Sequence, residues 1–84
     1  MSDEIQFPVD WQYRITALAD ADNVRDDLIR VLRMHGSDSM PEKANVSKTG
    51  KYVSWKVDVI FHSRADMESM SRALGAVAGV KFVL

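Results

Sequence analysis

Eighty-four residues, 46% of them apolar, are enough for one small domain with a single core of two packed layers, and chains divide only well beyond this size. Eleven basic against twelve acidic residues leave a net charge of −1, which gives no general pull towards nucleic acid or anionic lipid. The absence of cysteine excludes a disulfide framework and a thiolate metal site, and it suits a reducing cytoplasm.

Met1 to Gln6 is acidic and has no apolar run, so it reads as a frayed start rather than a secretory signal. No stretch approaches the ~20 apolar residues that a membrane-spanning helix needs. Phe7-Pro8 is where the backbone first docks, with Phe7 a tether onto the core. From Trp11 to Leu18, Trp11, Tyr13, Ile15 and Ala17 alternate with Gln12, Arg14 and Thr16, the pattern of a strand with one buried face. In the polar patch that follows, Asp20 or Asp22 can cap a helix running from about Asn23 to His35. Val24, Leu28, Val31, Leu32 and His35 fall on one helical stripe. Gly36 suits the C-terminal cap because it takes a positive φ without steric cost.

Pro41 discourages helix before the next element. Glu42 to Lys48 reads as a weak edge strand flanked by Lys43 and Lys48, charges that discourage unwanted pairing. Thr49-Gly50 then turns the chain into its most regular stretch, Lys51 to His62. There Val53, Trp55, Val57, Val59 and Phe61 occupy every second position, with Tyr52, Ser54, Lys56, Asp58 and His62 among them. Ser63 and Asp66 resemble a capping box that opens a second helix, from Arg64 to about Ala76, burying Met67, Met70, Ala73, Leu74 and Val77. Val80 to Leu84 is a last short strand. The order β-α-β-β-α-β, with both helical stripes needing the same sheet face, predicts a ferredoxin-like α+β plait. Its antiparallel strands are ordered 4-1-3-2, with two helices on one side, in a single domain spanning 1–84.

That fold leaves one sheet face uncovered by its helices, showing Gln12, Arg14 and Thr16 beside Tyr52, Ser54, Lys56 and Asp58. It is either a solvated face or a docking surface. Catalytic patterns are missing. No serine or threonine sits in a nucleophile-elbow sequence, and Ser63 is explained as a cap. The two histidines end different elements, so no metal site is expected. Asp26-Asp27 diverge on a helix and Asp20-Asp22 serve capping, which leaves no acid–base couple. The four glycines are too scattered for a phosphate cradle, and the loop Ala19 to Asn23 lacks the glycines on which acylphosphatases of this topology depend. RNA-recognition motifs share the topology too, but Tyr52 alone offers a ring for a base to stack on.

Phe7-Pro8 with Trp11, Tyr13, Arg14 and Ile15, then Ser47-Lys48-Thr49-Gly50-Lys51-Tyr52-Val53-Ser54, then Val80-Lys81-Phe82-Val83-Leu84 resemble the YbeD-like family of small bacterial proteins. The resemblance implies a ferredoxin-like fold close to the ACT-type regulatory modules and supplies no catalytic residues. ACT modules that bind amino acids typically carry a glycine after the first strand, which is lacking between Ala19 and Asn23. The expectation is therefore a cytoplasmic, non-enzymatic regulatory or protein-interaction module without cofactor or metal, taking a protein partner or a second copy of itself. Its site residues are Arg14, Lys48, Tyr52, Ser54 and Lys56. A small-molecule-sensing ACT-like domain acting at a dimer interface is the alternative, and an RNA-binding plait a distant one. The edge strand with Val80, Phe82 and Leu84 offers a route to sheet extension between copies.

Overall fold

The computed structural model describes residues 6–84, so the expectation for the chain's start lies outside the described residues except at Gln6, which is exposed. The elements run β1 (Val9–Leu18), α1 (Val24–Met34), β2 (Glu42–Val46), β3 (Tyr52–Phe61), α2 (Arg64–Gly75) and β4 (Val80–Val83). The strands form one antiparallel sheet in the order β2-β3-β1-β4, which is the expected 4-1-3-2 read from the other edge. The two long strands pair without a break from Val9 opposite Phe61 to Leu18 opposite Tyr52.

Alternation does the sorting. Tyr13, Ile15 and Ala17 of β1 and Val57, Val59 and Phe61 of β3 are buried in one core with Val24, Leu28 and Leu32 of α1 and Met70 and Leu74 of α2, and Val53 is buried beside it. Phe7 packs against this core as the expected tether, and Trp11 and Trp55 line its margin half-buried. The Trp55 indole N–H is buried without a partner among the described residues. Tyr13 fastens the sheet to α2 in two ways. Its ring stands edge-on to Phe61, with centroids 6.0 Å apart. Its hydroxyl lies 2.7 Å from Ser71 Oγ and 3.1 Å from the Met67 carbonyl, which Ser71 Oγ–H also reaches at 2.9 Å.

Two local expectations are corrected. Neither Asp20 nor Asp22 caps α1. The cap is Asn23, held in the left-handed region at φ 63 with no side-chain hydrogen bond, while Asp26 and Asp27 supply the negative charge of the first turn. Asparagine is among the few residues that tolerate this left-handed backbone, and the turn before it sits close against Gly79. His35 is not on the buried stripe. It is the C-cap residue and is exposed, because the helix ends one residue earlier and Gly36, at φ 81, turns the chain away. The β2–β3 connection is a four-residue loop, Lys48 to Lys51, closed by Ser47 N–H donating to Tyr52 O at 2.9 Å. Gly50 takes its left-handed position at φ 73. Ser63 behaves as read: its hydroxyl accepts from the Asp66 N–H at 3.2 Å at the start of α2.

Candidate functional site

The face of the sheet away from the helices is built by four strands whose registers align in rows. Thr16 of β1 lies opposite Ser54 of β3 on one side and Phe82 of β4 on the other. Arg14 lies opposite Lys56, and Lys56 in turn lies opposite Glu42. Arg14 and Leu84 exchange both backbone bonds, each at 2.9 Å, so the backbone groups of Arg14 point at β4 and away from β3. Arg14 and Lys56 therefore form a non-hydrogen-bonded cross-strand pair, the closer of the two antiparallel geometries, with Cα atoms about 4.5 Å apart. Gln12 faces Asp58 in the same geometry and donates to its carboxylate at 3.1 Å.

Two like charges directly opposite one another destabilise a sheet. Yet the single ion pair among the described residues is Arg30–Asp27 on α1, 2.7 Å long, so no described carboxylate comes within ion-pair distance of Arg14 or Lys56. The face also carries three exposed large apolar residues among its polar ones. Ile60, Phe82 and Leu84 are 63%, 64% and 74% exposed, and Phe82 and Leu84 stand beside Thr16 and Arg14.

Of the expected site residues, Arg14, Ser54 and Lys56 come together at the centre of this face, and Tyr52 lies at its end opposite Leu18. Lys48 does not join them: it sits in the hairpin loop beyond the end of β3. Lys51 instead covers the Tyr52 ring, its Nζ 5.7 Å from the centroid, which occupies one face of the aromatic and weakens it as a stacking platform.

Sequence reasoning missed a cleft of about 520 Å³ at the opposite end of the strands. It is bounded by the α1–β2 loop, the end of β3 and the first turns of α2, and it gathers both histidines of the chain. There His35 Nδ1 lies 2.9 Å from the Val31 carbonyl and Nε2 lies 3.4 Å from Ser69 Oγ. His35 is far in sequence from both Ser69 and His62, so no spacing signalled that they line one cleft. Among the described residues no three histidine or carboxylate groups are placed to hold a metal ion, and no helix is long and apolar enough to cross a membrane.

The family described as "Protein of unknown function (DUF493)" matches residues 2–84. A UPF0250 protein of Shewanella loihica is 30% identical over 80 residues, covering 95% of this chain and 90% of that one. A UPF0250 protein of Shewanella amazonensis is 26% identical over the same shares. Among solved structures, protein HP0495 from H. pylori superposes with a TM-score of 0.81 at 19% identity, covering 99% of this chain and 88% of that one. The ACT domain from the GTP pyrophosphokinase of Chlorobium tepidum superposes with a TM-score of 0.63 at 14% identity, covering 90% and 97%. These similarities match the YbeD-like resemblance and the ACT-like fold, and the UPF0250 relatives carry no enzymatic name. Matched from its second residue to its last, the chain belongs to the DUF493 family of bacterial proteins.

Proposed function

We propose that this protein is a non-enzymatic regulatory module of the cytoplasm that docks an acidic segment of a partner protein on its open sheet face. The reading is carried by the juxtaposition of Arg14 with Lys56, closely paired across two central strands with no described carboxylate in ion-pair reach. An incoming glutamate or aspartate relieves their repulsion and gains two cations at once, while Phe82, Leu84 and Tyr52 supply apolar contact at the rim. Ser54 adds a hydroxyl beside them. The test is binding of a fluorescent peptide of alternating glutamate and leucine. The expected result is affinity that falls with added salt and drops about a hundredfold in Arg14→Gln/Lys56→Gln, since two lost charge-assisted contacts of ~1.5 kcal/mol each are worth that factor. Binding that ignores both substitutions overturns the assignment.

A second reading, a small-molecule-sensing ACT-like domain, is favoured by the cleft that holds His35 and His62. Its volume of about 520 Å³ lies within the range of small-molecule sites. That reading requires a metabolite to raise the melting temperature, an effect that His35→Ala removes.

A further inference from the structure

The outer edge of β4 has no strand partner among the described residues. Leu84 exchanges both backbone bonds with Arg14, at 2.9 Å each, so its N–H and C=O are turned inward to β1. Along a strand these groups alternate in direction, which turns the N–H and C=O of Val83 outward, to the side where no described strand lies. The register of β4 against β1 is broken between Thr16 and Ala17, opposite Phe82 and Val80, so the regular part of the edge is short and centred on Val83. Its two flanking residues, Phe82 and Leu84, are large apolar side chains exposed on the open face. The other edge of the sheet differs: β2 begins Glu42-Lys43, two exposed charged residues that oppose pairing.

We propose that two copies of this chain join by antiparallel pairing of β4 about a two-fold axis at Val83. The axis is perpendicular to the sheet, and the product is a continuous eight-stranded sheet. At the axis, Val83 of each copy donates its N–H to the C=O of the other. The next pair on either side is then non-hydrogen-bonded, and it sets Phe82 opposite Leu84 of the partner copy and Leu84 opposite Phe82, on the same sheet face. No other register with a two-fold axis uses the outward groups of Val83 reciprocally and also buries all four exposed side chains against one another. The axis keeps both open faces on one side, so the Arg14–Lys56 pairs of the two copies lie on one surface. The pairing itself rests on β4 and not on the acidic-segment reading. Four such side chains bring on the order of 500 Å² of apolar surface together, well under the ~1,200 Å² of a stable interface. A dimer on so small an interface belongs to the weak, transient class.

The register can be read chemically, because the chain has no cysteine of its own. Phe82→Cys and Leu84→Cys are made separately, one with a mass tag. In the proposed register position 82 of one copy faces position 84 of the other at about 4.5 Å between Cα atoms, within disulfide reach. Positions 82 and 82 lie about 8 Å apart, beyond it. Mild oxidation of the mixture is expected to give the covalent mixed dimer, with little from either variant alone. Sedimentation of the unaltered chain is expected to show its mass rising from 9.5 kDa towards twice that between about 10 μM and 1 mM. Phe82→Asp, altered at an exposed side chain, keeps its melting temperature but stays monomeric. Cross-linking of Phe82→Cys with itself at the rate of the mixture overturns the register, and a mass that never rises overturns the dimer. Arg14→Gln/Lys56→Gln still dimerises, so failure of the dimer and failure of acidic-peptide binding are told apart.

Discussion

Arg14→Glu is expected to make this protein more stable while removing its affinity for an acidic partner. In the native row Glu42, Lys56, Arg14 and Leu84 lie side by side across four strands, so two cations are neighbours and only one faces a carboxylate-bearing residue. Exchanging Arg14 for glutamate replaces a repulsive cross-strand pair by an attractive one, each worth about 0.2–1 kcal/mol. Part of the gain is offset by Asp58, diagonally placed about 7–8 Å from position 14 and already bonded to Gln12. The net is a stabilisation of about 0.5 kcal/mol, which for a domain of this size raises Tm by about 2–4 °C. Scanning calorimetry at 10 mM and at 1 M salt is the assay. The increase should vanish at high salt, where the screening length contracts to about 3 Å. Arg14→Gln, which removes repulsion without adding attraction, should show about half the increase. A lowered Tm at low salt, or an increase indifferent to salt, refutes the idea that the two cations strain the sheet.

Gly79→Ala should cost about 2–4 kcal/mol, because the glycine has φ +92 and an added Cβ would stand 2.7 Å from Ala21 Cβ and 3.2 Å from Val24 Cγ2. Gly36→Ala, at φ +81 with open space around it, should cost only about 1–2 kcal/mol; equal midpoints for the two variants in urea would contradict this. Burial pushes the Tyr13 hydroxyl above the ordinary tyrosine range, against a smaller opposing effect of the Ser71 hydrogen bond. A raised value means that the unfolded chain loses its proton first. The stabilisation is then complete below the ordinary pKa near 10 and is lost as pH climbs through the folded value. Melting temperature should accordingly fall above pH ~10, and Tyr13→Phe should flatten that fall while losing about 0.5–1.5 kcal/mol at neutral pH. An identical alkaline profile in the two proteins would show that Tyr13 does not drive it.

Local patterning determined much of this protein. The period-two runs around Tyr13 and Val57 and the helical stripes of Leu28 and Met70 left a βαββαβ plait as the economical way to bury everything apolar on one side of a sheet. Positive φ at Gly36 and Gly50 and the cap at Ser63 were legible for the same reason: each is decided by one residue and its immediate neighbours. Where the decision was made by something distant, sequence fell short. Asn23 rather than an aspartate heads α1, beside a turn that packs on Gly79 from the far end of the chain, and His35 leaves the core because the helix stops at Met34. Arg14, Ser54 and Lys56 could be assigned to one face by parity alone. That Arg14 stands opposite Lys56 and beside Leu84, and that Val83 presents its backbone outward, depends on how two strands slide against β1. That register is fixed by core packing between residues distant in the chain, such as Tyr13 and Val57, and no short-range pattern encodes it.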